Sequence, residues 1–195
     1  MHNRSFPGCA VFCCVKKCFW RCGGFGLSAV QGARIRRSGQ IIAIDTTEES
    51  LDLATRLGAT YSINAQKQDP MGALERIAPE GVDHAFEAVG IPKTIKLSAD
   101  IHARDGIAIT IGMPKDNINI ESPTATIVRR EQLLKGMHCR SENSIDSFVI
   151  MIEYNTEVSL DLDSIVHFIK LSDINDLFVE LENGTISRNM ISFLW

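Results

Sequence analysis

Apolar runs alternate with stretches of helical periodicity along most of the chain. Residues 41–44 (Ile-Ile-Ala-Ile) and 106–111 read as strands, 82–90 as a strand ending in a turn, and residues 60–64 as a shorter strand. Between them lie predicted helices. The first spans 27–37, with Leu27, Val30, Ala33 and Ile35 inward and Ser28, Gln31, Arg34 and Arg37 outward. The second spans 48–57, with Leu51, Leu53, Ala54 and Leu57 as its apolar set and Gly58 as its stop. A short helix over 70–78 carries Pro70 near its start, and another runs from Pro92 to about His102.

Beyond residue 111 the pattern predicts smaller pieces. These are an edge strand at Ile118-Asn119-Ile120, a helical turn over 124–130, a strand over 132–137 and an amphipathic helix over 145–154. A helix capped by Ser172 runs through Glu182 to a stop at Gly184, and a strand over 188–193 closes the chain. The start is less defined. Both Ala10-Val11-Phe12 and Cys18-Phe19-Trp20 read as a first strand, and residues 13–21 either extend that strand or form a loop ahead of the next turn. Strands alternating with helices, apolar on both faces, predict an α/β fold: a doubly wound parallel sheet with helices on both faces.

The stretch from Cys22 to Asp45 carries the clearest chemistry. Gly23, Gly24 and Gly26 open the first helix, Gly39 closes it, and Asp45 ends the following strand nineteen residues after Gly26. Such a turn, helix, strand and acid together form a dinucleotide fingerprint. Glycines let the backbone approach a pyrophosphate, and the amides at a helix N-terminus favour its charge. A carboxylate at the end of the second strand can accept both ribose hydroxyls of an adenosine. Arg21 stands where the first glycine of G-x-G-x-x-G would be. A glycine turn by itself also serves as a plain strand–helix turn, with Asp45 then a surface residue. Ligands on such sheets bind at the carboxyl ends of strands, so Gly23–Gly26, Asp45, Ala88-Val89-Gly90 and Ile111-Gly112-Met113 are expected to converge on one crevice.

Composition narrows the function classes. Hydrophobic content of 45% and charged content of 23% are ordinary for a globular domain. A net charge of −4 argues against general nucleic-acid binding. No apolar run approaches the ~20 residues that span a bilayer. The charge is uneven: seven basic residues and no acid precede Asp45, while thirteen basic and twenty-four acidic residues make up the rest. The apolar run at 10–15 is too short for a secretory leader and is followed by two lysines. Five of the six cysteines (Cys9, Cys13, Cys14, Cys18 and Cys22) crowd the start, mostly at four-residue steps that do not suit paired zinc ligands. They read as free thiols in a reducing, cytoplasmic setting. The five histidines are scattered and read as surface or half-buried residues rather than ligands.

From about Cys22 to Ile191 the chain resembles the cofactor-binding half of zinc-dependent medium-chain alcohol dehydrogenases. The specific stretches are residues 23–33, Leu57-Gly58-Ala59-Thr60, residues 81–90, Ile111-Gly112-Met113-Pro114 and Gly184-Thr185-Ile186-Ser187-Arg188. The chain thus reads as an irregular cysteine-rich segment over 1–21 ahead of an NAD-binding domain over 22–195, and the resemblance implies NAD-linked oxidation of alcohols. It implies that Gly23, Gly24, Phe25 and Gly26 supply the pyrophosphate turn, and that Arg188 pairs with a phosphate oxygen. Asp45 would hold the adenosine ribose and disfavour a 2′-phosphate. Ala88, Val89, Ile111, Gly112 and Met113 would line the nicotinamide side. Ser50 stands where the family has a basic residue. The family's catalytic domain, with its zinc ligands and proton relay, has no counterpart here, so no catalytic or metal-ligating residue is expected of this chain. Resembling proteins dimerise through the edge strand that Ile118–Ile120 matches. The expected partners are therefore NAD and a second copy or a separate catalytic domain. Two functions follow: the cofactor-binding portion of an oxidoreductase, or a non-catalytic nucleotide-binding or dimerising remnant of one.

Overall fold

The computed structural model describes residues 16–20, 22–117, 119–137, 151–155, 160–182 and 189–193. A six-stranded parallel sheet is built from β1 (Lys16–Trp20), β2 (Gln40–Asp45), β3 (Tyr61–Asn64), β4 (Val82–Glu87), β5 (His102–Thr110) and β6 (Leu133–Gly136). Its order is β3-β2-β1-β4-β5-β6. Five helices accompany it: α1 (Gly24–Ile35), α2 (Glu48–Leu57), α3 (Pro70–Ile77), α4 (Pro92–Ile101) and α5 (Thr124–Arg130). This is the doubly wound order, in which the winding reverses between β1 and β4.

β1 resolves the ambiguity at the start. It pairs with β2 from Lys16↔Gln40 to Trp20↔Ile44 and with β4 from Lys17↔His84 to Trp20↔Glu87. Of the two candidate first strands, the one at Cys18-Phe19-Trp20 is part of this strand; Ala10–Phe12 lies outside the described residues. Within residues 13–21, the stretch 16–20 is strand rather than loop, and 13–15 and 21 lie outside the described residues.

The sheet is buried on both faces. Ile41 and Ala43 of β2 point into a cluster with Leu27, Val30 and Ala33 of α1 and Leu51, Ala54 and Leu57 of α2. Ile42 and Ile44 point the other way, into a cluster with Ala73 and Leu74 of α3 and Ile101 of α4. This alternation, apolar in both directions, is why the strand reads as a continuous apolar run. Local signals set the helix ends. Asp69 caps α3 by accepting from Gly72 N at 2.8 Å, with Pro70 in the first turn. α2 stops where Gly58 takes φ +124°, and Ala59 N donates back to Ala54 O at 2.9 Å.

Several expectations are corrected. Gln31 does not face outward: it is fully buried. Its Nε2 donates to Asp161 O at 2.8 Å, and Asp161 N donates to its Oε1 at 2.6 Å. One side chain thus imitates a strand partner and ties residues 160–165 onto α1, where Leu160 and Ile165 join the core. His84 and His102 are buried rather than surface or half-buried. His84 stacks on Phe86 with centroids 6.3 Å apart, and burial lowers the pKa of His102 below its ordinary value. β5 starts at His102, ahead of the expected residue 106, because the β4 pairing shifts from Val82↔His102 to His84↔Ile107. The intervening bulge holds Asp105 at φ +57°. Asn119 and Ile120 belong to no strand, and Ile118 lies outside the described residues. The exposed sheet edge on that side is β6 instead.

The far end of the chain forms a small parallel pair, β7 (His167–Lys170) with β8 (Asn189–Ser192), and a helix, α6 (Ile174–Glu182). Ser172 does not cap that helix from outside. It sits in a 3-10 turn (Leu171–Asp173) with its Oγ 2.7 Å from Asp173 Oδ1. Of the helix expected over 145–154, residues 151–154 are helical and the rest lie outside the described residues, as does Gly184.

Gln31→Leu keeps the side-chain volume but leaves Asp161 N–H and C=O unpaired. It is expected to lower stability by about 2–3 kcal/mol in urea unfolding; a loss below about 0.5 kcal/mol would show that the clamp is dispensable.

Candidate cofactor site

Register brings four strand ends together. Ile44, Trp20, Glu87 and Thr110 stand side by side across β2, β1, β4 and β5. The segments that follow them, Asp45, residues 22–26, 88–90 and 111–113, therefore share one carboxyl edge, as the sequence predicts. From β2 to β5 is three interstrand spacings, roughly 14 Å.

The first segment is the glycine turn. Gly23 sits at the N-cap of α1, and Leu27 N donates to Gly23 O at 2.8 Å. No side chain caps this helix and its first turn holds no acid. Amides left over at an uncapped N-terminus are what an anion binds. Gly26 is buried under the turn, while Phe25 is exposed above it.

Asp45 is more tightly held than its sequence position shows. Its Oδ2 accepts from Cys22 N at 2.7 Å. Its Oδ1 accepts from Thr46 N at 2.7 Å and Thr47 N at 3.0 Å. One carboxylate thus anchors the turn on β1 and the turn after β2, and Oδ2 keeps a lone pair for another donor. Cys22 is itself buried. Burial, and next the nearby Asp45 charge, push its thiol pKa well above the ordinary value, so it is no nucleophile.

At the other half of the edge two glycines meet. Gly90 has φ +80°, and a Cβ there would lie 2.6 Å from Met113 O. A Cβ on Gly112 would lie 2.6 Å from the Val89 carbonyl carbon. The turns after β4 and β5 therefore touch backbone to backbone, a cradle any side chain would fill. Ala88, Val89, Ile111 and Gly112 are half-buried there, and Met113 is 71% exposed.

Sequence reasoning missed Glu87, which ends β4. Its side chain is fully buried. Its main-chain carbonyl accepts from Ile111 N at 2.7 Å and Gly112 N at 3.1 Å. The available signal was an acid closing an apolar strand just before a Val-Gly turn. Arg188 lies outside the described residues. Among the described residues no group of three His, Cys, Asp or Glu could hold a metal ion, so zinc has no donor set there. A cleft of about 430 Å³, lined by Gly81, Val82, Ile101, Arg104 and Arg130 among others, lies at the opposite ends of β4 and β5.

A sheet wound in this order defines a Rossmann-type domain. Residues 24–153 match the family model described as zinc-binding dehydrogenase, and the chain belongs to that family. It is 31% identical over 175 residues to an S-(hydroxymethyl)glutathione dehydrogenase of Escherichia coli, covering 88% of this chain and 47% of that protein. Among solved structures it resembles benzyl alcohol dehydrogenase from Acinetobacter calcoaceticus, with a TM-score of 0.88 at 26% identity over 92% of this chain and 50% of the other. It also resembles an alcohol dehydrogenase from Aeropyrum pernix, with a TM-score of 0.77 at 25% identity, 94% and 49% being covered. The chain spans about half the length of the curated relatives it matches. It corresponds to the cofactor-binding portion of these dehydrogenases.

Gly112→Ala presses a methyl onto fixed backbone and is expected to cost about 3 kcal/mol in thermal or urea unfolding. Gly136→Ala, with nothing within 4 Å of the added Cβ, should stay within about 0.5 kcal/mol. Equal effects of the two would contradict the close contact of the turns.

Proposed function

We propose that the chain binds NAD across the carboxyl edge of the sheet, as the cofactor-binding portion of an enzyme that moves hydride between an alcohol and NAD. The observation that carries this is Asp45, held at the end of β2 beside an uncapped, glycine-led helix start. In this reading Gly23, Gly24, Phe25 and Gly26 surround the pyrophosphate, and the amides opening α1 meet its charge. Asp45 accepts from the adenosine ribose and repels a 2′-phosphate. Ala88, Val89, Ile111, Gly112 and Met113 form the nicotinamide side, and Arg188 pairs with a phosphate oxygen. NAD, when bound, supplies the hydride acceptor. The chain's own residues bind, orient and shield it.

Activation of the alcohol is the task of zinc in the resembling family. The described residues offer no donor set for it, so zinc would have to be held elsewhere. This favours a second reading for the chain by itself: a nucleotide-binding module without turnover. Apolar side chains are exposed at Ile127 and Val128 on α5, at Leu133 and Leu134 on the β6 edge, and at Phe168, Phe178 and Phe193 near the end. They support association with a second copy or with a catalytic domain. No helix among the described residues is long and apolar enough to cross a membrane. A cytoplasmic setting is the proposed one.

Fluorescence titration with NADH tests the reading. Asp45→Ala is expected to weaken NAD about tenfold or more, the loss of charge-assisted hydrogen bonds, and to narrow the preference over the 2′-phosphorylated cofactor. Tighter binding of the phosphorylated cofactor by the wild type would refute the role of Asp45. With zinc and a primary alcohol, the purified chain is expected to leave NAD unreduced. Reduction that disappears on chelation would show instead a metal site within this chain.

A further inference from the structure

Burying a carboxylate is costly unless hydrogen bonds replace its water. The Glu87 side chain meets this in an unusual way. A single oxygen, Oε1, takes three donors: Val89 N at 2.7 Å, Gly90 N at 2.9 Å and Thr94 Oγ1 at 2.8 Å. Oε2 has no hydrogen-bond partner among the described residues. All three donors lie beyond the end of β4. Two are amides of the 88–90 turn, and the third is a hydroxyl on the first turn of α4. None belongs to the sheet ladder, which would form without them. On its main-chain side the same residue accepts the Ile111 and Gly112 amides. Glu87 therefore holds both turns of the glycine-on-glycine contact, one through its side chain and one through its carbonyl. Charge-assisted hydrogen bonds from three directions leave the 88–90 turn little freedom to tilt.

We propose that Glu87 is the positioning residue of the nicotinamide side of the crevice. Its Oε1 sets the height of the 88–90 turn, and through Gly90 the seat of the 111–113 turn. This rests on reading the carboxyl edge as an NAD site. The adenosine side is held by other groups: Asp45 bonds the Cys22, Thr46 and Thr47 amides, and the start of α1 is led by Gly23. Loss of the Glu87 carboxylate is thus felt by only one end of the cofactor.

The test compares two ligands on four proteins: wild type, Glu87→Ala, Glu87→Gln and Thr94→Val, each titrated with NADH and with ADP-ribose, which lacks the nicotinamide. Glu87→Ala should weaken NADH about tenfold, or about 1.4 kcal/mol, and ADP-ribose by less than about twofold. Glu87→Gln keeps an acceptor at Oε1 and should fall between Ala and wild type. Thr94→Val removes one donor on the partly exposed first turn of α4. It leaves the buried carboxylate in place if Glu87→Ala fails to fold, and should weaken NADH about threefold with ADP-ribose unchanged. Unchanged NADH affinity in the variants, or equal losses for both ligands, overturns the proposal. A wild type that binds neither ligand overturns the NAD reading beneath it, an outcome distinct from a wild type that binds both and variants that bind them equally well.

Discussion

β1 is hydrogen-bonded on both sides, to β2 on one flank and β4 on the other, and everything else is arranged around that double pairing. Parallel neighbours cannot be joined by a tight turn, so each connection must cross a face of the sheet. From β1 the chain winds outward through α1 and α2 over one face, then returns through α3 to the other flank and winds outward again. The two directions part at the carboxyl end of β1, the place where sheets wound in this order bind their ligands. The two apolar clusters on opposite faces follow from the same reversal.

Two carboxylates organise that crevice, and both bind backbone amides. Asp45 holds the Cys22 amide beyond the end of β1 and the amides of Thr46 and Thr47 after its own strand. Glu87 holds the amides of Val89 and Gly90. A carboxylate is suited to this because one oxygen accepts more than one N–H and the charge strengthens each bond. The difference lies in burial. Asp45 is partly open, so it can also meet a ligand. Glu87 is closed off, so it acts only by shaping the turn above it.

Outside the inner strands the structure opens. All four residues of β6 are exposed, no residue of α5 is buried, and Phe168, Phe178 and Met190 around the small β7–β8 pair are at least half exposed. An edge strand with free backbone groups and apolar side chains invites a partner. Gln31 limits how far this loosening spreads inward. By pairing with both backbone groups of Asp161, it fastens a segment far along the chain onto the helix that carries the glycine turn.

The sequence by itself determined the alternation of strands and helices, the glycine turn and Asp45. Each of these is written locally: apolar runs of strand length, a helix stop at Gly58, a cap at Asp69 and an acid at a fixed distance from the glycines. It determined α2 and α5 to the residue, because their ends are set by neighbours in the chain. Only the tertiary structure placed residues 16–20 as a strand, since that rests on register with β2 and β4 rather than on composition. It alone turned Gln31 inward, because the partner that satisfies its amide is 130 residues away. It alone showed Gly90 against Gly112 and the three donors on Glu87. Periodicity tells which face a residue takes, but not which distant backbone waits there to pair with it.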